Sequence, residues 1–172
     1  TTADNNTAVG TDALTANTTA TGGTAVGNQS LEANTTGNYN TAIGMQSLES
    51  NQTGTDNVAV GYYAMQANLA SNNTAVGRRA LAANTTGTQN TAVGNNALDA
   101  NTTASYNTAV GADAGGKITT GTQNVFVGRS AGKEATVVND VVAIGDRAGD
   151  SNTGSQNTFI GGRAGSSGGN GG

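Results

Sequence analysis

The segment GADAGGK, Gly111–Lys117, has the G-x-x-x-x-G-K spacing of a phosphate-binding loop. Such a loop needs Ser or Thr next, to hold Mg²⁺, and it must join a strand to a helix. Ile118 stands at that position, and the surrounding sequence is a repeat whose glycines generate the match on their own. Carboxylates are no better organised. The repeat position holding Asp12 and Asp113 also holds Gln29, Tyr63, Arg79 and Arg147, whereas a roll that stacks calcium ions needs recurrent Asp. The chain has no His and no Cys, which excludes zinc sites and Ser-His or Cys-His nucleophile pairs within it. The sequence therefore predicts a protein that is not an enzyme, with no catalytic residues, no cofactor and no metal.

The side chains left for recognition are polar or aromatic. Tyr39, Tyr62, Tyr63 and Tyr106, with Arg78 and Arg79, are the large groups of the middle of the chain. Tyr and Arg dominate binding hot spots, so these six are candidate contacts to a receptor or a surface glycan. Glycosylation sequons occur at Asn5, Asn17, Asn28, Asn34, Asn51, Asn72, Asn84 and Asn101. An Asn- and Thr-rich chain also makes such triplets by composition alone. Adjacent threonines such as Thr102–Thr103 could carry O-glycans, and a flat Thr array raises ice binding. Neighbouring residues of an extended chain point to opposite faces, however, which ranks that reading third.

Whatever positions these groups must be a repeat. The chain has 172 residues, 34% hydrophobic, 3% aromatic and 10% charged, with 27 Gly, no Pro and a net charge of −4. That is little bulk for a globular core, little charge for a disordered polymer, and no basic field for nucleic acid. No apolar run approaches the length of a membrane span. NTAVG begins at Asn6, Asn73, Asn90 and Asn107, and variants fill the gaps. The closing glycines are Gly10, Gly27, Gly44, Gly61, Gly77, Gly94, Gly111, Gly128, Gly145 and Gly161, at spacings of 16 or 17 residues. Constant periodicity with β-branched triplets and glycine turns predicts an all-β parallel solenoid of ten coils, because a fully extended repeat would span about 56 Å and has to wrap back to meet its neighbour. Residues 1–165 form one repeat domain, with a leucine zone over about 1–111 and a GxxAG zone over about 112–165. Residues 166–172, SSGGNGG, are expected from composition to be a flexible Gly/Ser tail or linker.

Stacked coils turn each repeat position into a column. Val9, Val26, Ile43, Val60, Val76, Val93, Val110, Val127, Ile144 and Ile160 make an unbroken aliphatic column, which the sequence assigns to the core. On that assignment Val93→Asp buries an unpaired carboxylate and is severe. A second column, Leu14, Leu31, Leu48, Met65, Leu81 and Leu98, turns to Gly115, Gly132, Gly149 and Gly165. Asn6, Asn40, Asn57, Asn73, Asn90, Asn107, Asn124 and Asn157 can stack their amides. No third aliphatic stands near Ala20, Gly37, Gly54 or Ser71, so the expectation is that other chains complete the apolar face.

NTAVGxxAL and VGxxAG resemble the head repeats of YadA-like trimeric autotransporter adhesins, and more closely the repeats of phage tail fibres and bacterial surface proteins. The resemblance covers Asn6–Gly165. It implies a left-handed parallel β-roll, three chains side by side as a homotrimer or a filament, and an extracellular location on a cell surface or virion. The expected function is a rigid segment of a fibre. The alternative is an adhesin head that binds a host receptor or glycan, and the third reading is an ice-binding solenoid. The expected partners are copies of the chain itself and such a host-surface ligand, with no nucleic acid and no membrane insertion.

Overall fold

A computed structural model describes residues 3–166. It is a β-solenoid built on one sheet of ten parallel strands in chain order. The strands are β1 (Thr7–Val9), β2 (Thr24–Val26), β3 (Thr41–Ile43), β4 (Val58–Val60), β5 (Thr74–Val76), β6 (Thr91–Val93), β7 (Thr108–Val110), β8 (Val125–Val127), β9 (Val142–Ile144) and β10 (Thr158–Ile160). Register is like on like: Thr91 pairs with Thr108, Ala92 with Ala109 and Val93 with Val110. The described residues contain no helix, as the Gly, Asn and Thr content predicts.

One middle coil shows how the chain turns. Thr91 and Val93 of β6 point outward and Ala92 points in, because successive side chains of a strand alternate. Gly94 then takes φ +138, and a Cβ on it would lie 2.4 Å from the carbonyl oxygen of Gly111 in the next coil. That contact and the left-handed backbone together exclude every other residue from the column. Asn96 and Leu98 adopt φ of 53° and 50°, which winds the second side tightly and turns Ala97 and Leu98 inward, both fully buried. Asn101 is buried at the corner, Thr102 and Thr103 run along the outside, and Tyr106 at φ 63 closes the coil. The ladder between coils is not confined to the strands. The amides of Leu98 and Ala100 donate to the carbonyls of Ala114 and Gly116 at 3.0 and 3.2 Å, and that of Thr102 donates to Thr119 at 3.2 Å.

The aliphatic column assigned to the core lies outside. Val9, Ile43, Val76, Val110, Ile144 and Ile160 are exposed, and Val26, Val60, Val93 and Val127 are half-buried. The residues fully buried in the strands are the middle ones: Ala25, Ala42, Ala59, Ala75, Ala92, Ala109, Phe126 and Ala143. The physical reason is parity. A three-residue strand has one inward position, and the inward slot faces Leu across a coil too thin for a second large side chain.

Nor does the interior need another chain to close it. Two columns of buried Asn fill the region near Gly37 and Gly54 where the sequence has no third aliphatic. In one, the Nδ2 groups of Asn57, Asn90 and Asn124 donate to the Oδ1 of Asn40, Asn73 and Asn107 at 3.1, 3.2 and 2.9 Å. The same Oδ1 atoms accept the backbone N–H of the next coil, as Asn107 does from Asn124 at 3.0 Å. In the other, Asn51 donates to Asn34 at 3.0 Å, Asn84 to Asn68 at 2.6 Å and Asn101 to Asn84 at 2.9 Å. Amides that satisfy one another can be buried without the penalty of a lone polar group.

Beyond coil six the filling changes hands. Leu gives way to Gly115, Gly132, Gly149 and Gly165, and Ala in the strand gives way to Phe126 and Phe159. A Cβ on Gly132 would lie 2.2 Å from the Phe126 ring, one on Gly115 2.8 Å from the same ring, and one on Gly165 2.2 Å from Phe159. Each ring thus occupies the room of leucines in two successive coils. Glycine also adopts φ near +58 without the steric cost that Leu bears there. Ile118, Val138 and Val141, all buried, replace polar or glycine positions in the same region.

Two outcomes test this packing. Ala92→Asp should abolish cooperative unfolding, since it buries a carboxylate at a cost of several kcal/mol, whereas Val93→Asp should lower coil stability by about 1 kcal/mol, as thermal melts followed by circular dichroism will show. Phe126→Ala should cost about 3–5 kcal/mol in denaturant unfolding. Gly115→Leu and Gly132→Leu should each destabilise the native chain and yet, placed together in the Phe126→Ala background, recover part of the loss.

Candidate functional surface

Four of the seven Lys and Arg side chains are paired with carboxylates. Arg79 pairs with Asp99 at 3.3 Å, Lys133 with Asp113 at 3.4 Å, and Arg129 meets Asp146 through two nitrogens at 2.8 and 3.1 Å. Lys117, the lysine of GADAGGK, is paired with Glu134. Gly111 and Gly115 of that segment are column glycines and Ala114 is core, so the motif is an ordinary coil with no phosphate cradle. A shallow groove of about 500 Å³ runs beside Thr15, Glu32 and Glu49. Glu49 there accepts from the side-chain amides of Gln46 and Gln66 at 2.8 and 2.7 Å. Among the described residues no group of three or more acidic side chains is placed to hold a metal ion.

The six aromatic and arginine candidates do not form one patch. Tyr62 and Tyr63 follow Gly61 at the end of β4, with ring centroids 3.9 Å apart and planes tilted by 39°. Arg78 follows Gly77 in the next coil and lies 6.0 Å from the Tyr62 ring centre. Hydrogen bonding with Tyr62 pushes the Tyr63 phenol above its ordinary pKa. Arg79 sits beside this group but is committed to Asp99. Tyr39 and Tyr106 instead occupy the corner that precedes a strand, both in left-handed backbone, so β-strand residues separate them from the Tyr62 cluster. The sequons divide as well. Asn34, Asn51, Asn84 and Asn101 are buried in the amide column, where no glycan can be accommodated.

The most extensive surface is one that the candidate residues miss. The outward positions of the ten strands form two ranks. The first is Thr7, Thr24, Thr41, Val58, Thr74, Thr91, Thr108, Val125, Val142 and Thr158; the second is the Val/Ile column. All twenty are β-branched, and none of the charged residues of the chain lies in a strand. The signal was present in the sequence as the T-x-V alternation inside each NTAVG. Residues at i and i+2 of a strand share a face, so a core assignment for Val carries the strand Thr inward with it and leaves only the Ala between them outside.

No family model, curated protein or solved structure matches the chain.

Proposed function

We propose that the chain is a structural segment of an extracellular fibre, a rod in which three copies run side by side as a homotrimer. The observation that carries this reading is the in-register stack itself. Ten strands pair like on like along the whole described chain, and coil-to-coil hydrogen bonds continue around every side. Such a stack converts sequence length into rod length at a fixed rise. An adhesive head remains the second reading, favoured by one observation: Arg78, which has no carboxylate partner among the described residues, stands over the exposed Tyr62. That combination suits an acidic sugar.

Solution scattering should return a rod about 43 Å long, from nine steps of about 4.8 Å. Light scattering should give 50.1 kDa, three times the 16.7 kDa of one chain. An axial length far from about 43 Å overturns the rod, and a stable folded monomer overturns the trimer. Tyr62→Ala with Arg78→Ala should leave both measurements unchanged while abolishing any retention on an acidic-glycan array.

A further inference from the structure

We infer that the charge-free Thr/Val face of the sheet is the surface on which copies of this chain pack against one another, an inference that rests on the fibre reading above and assigns its interface. Three observations carry it. First, an all-parallel sheet covered by crossover helices buries both faces, and this sheet, with no helix among the described residues, leaves its outer face uncovered. Here the inner face is covered by the coil's own Leu, Phe and Asn columns, while the outer face holds a row of ten Val or Ile side chains, six of them exposed and four half-buried. Val9 is 58% exposed, Ile43 40% and Ile160 70%. Isolated exposed aliphatics are unremarked on a soluble protein, but a contiguous row of ten is an interaction surface.

Second, charge is segregated. The ion pairs Arg79–Asp99, Lys117–Glu134, Arg129–Asp146 and Lys133–Asp113 all lie on the turns that follow the strands. Packing two such faces therefore desolvates no charged group of the strands, and the charged residues that follow them most closely, Arg78, Arg129 and Asp146, stand one position beyond the strand glycines at the edge of the contact.

Third, size and periodicity fit a copy. With the column that follows the glycines (Met45, Tyr62, Arg78, Asn95 and their equivalents) the strip is five residues wide, about 16 Å, and about 43 Å long, or about 700 Å², close to the roughly 800 Å² per partner of a stable interface. A surface whose ranks repeat at the strand spacing is matched along its full length by another array of the same spacing. A second copy of this chain is such an array. Arg78, Arg129 and Asp146 then fall on the rim, where polar groups belong in an interface.

The native chain has no cysteine, so single cysteines report contacts directly. Val93→Cys lies in coil six of ten, next to the midpoint, and faces coil five or six of an opposing copy whichever way the copies run. Under mild oxidation Val93→Cys and Thr91→Cys should form covalent dimers at least tenfold faster than Thr103→Cys, an exposed position on another side of the coil. Val26→Cys should cross-link as well only if the copies run parallel. Val93→Asp should return the mass of one chain while the far-UV spectrum of the coil persists. Equal rates at Val93 and Thr103, or an assembly that survives Val93→Asp, overturn the inference. A monomer that shapes ice crystals and loses that activity in Thr91→Tyr also overturns it, and gives the face to ordered water. An assembly of two copies with the expected cross-links sinks the homotrimer and keeps the interface. A rod of the expected length that stays monomeric sinks the interface and keeps the rod.

Discussion

The closeness of one coil to the next governs this structure. At Gly94 and its equivalents the backbone is left-handed and the carbonyl of the following coil occupies the space a Cβ would need. No residue but glycine fits from Gly10 through Gly145, and Gly161 keeps the same left-handed backbone without the close carbonyl. With the coils held at that separation, every other position is forced to stack on its like. Amide meets amide, threonine meets threonine, and a large side chain must share its volume with those directly above and below.

The interior is best understood as a fixed volume filled in two ways. In coils with Leu or Met at the inward turn, the strand contributes only Ala. Where the turn becomes Gly, a Phe from the strand reaches across and fills two levels. The exchange relieves left-handed strain at the turn and conserves packed volume, which explains how the consensus changes midway without interrupting the sheet. The paired asparagines supply the rest of the cross-section. They let a thin coil of low hydrophobicity close on itself, because a polar column whose amides are satisfied at all but two levels can be buried much as an apolar one is.

Period, strand positions and the parallel stack were legible in the sequence because they follow from spacing and β-branching alone. The side of the wall on which Val93 sits was not. Choosing the bulkier column as the core ignored that Ala92, flanked by β-branched residues on both sides, is the one inward position of its strand. The role of Phe126 was equally hidden, since its partners Gly115 and Gly132 are distant in sequence and become neighbours only after two coils have closed. The Asn amides were recognisable as a ladder from their recurrence. Their burial, which silences Asn34, Asn51, Asn84 and Asn101 as glycan acceptors, depends on a corner geometry that recurrence does not reveal. The scatter of the Tyr and Arg candidates over two corners has the same origin.

The inner amide column has two flaws. Asn51 has an unpartnered Oδ1 where the next coil, one residue short, draws Asn68 toward the carbonyl of Ala70, and Asn101 has one where Ile118 replaces the next Asn. Tension applied along the axis of such a rod loads the coil junctions in series, while the hydrogen bonds within each junction share the load in parallel. Its mechanical strength is then that of its weakest junction, however many coils are added. The two flawed levels leave separate amide seams at Asn34–Asn51 and at Asn68–Asn101, and beyond Asn101 the column turns apolar with Ile118 and Ala135, so a stretched rod should part at these levels and leave the coils between them still wound.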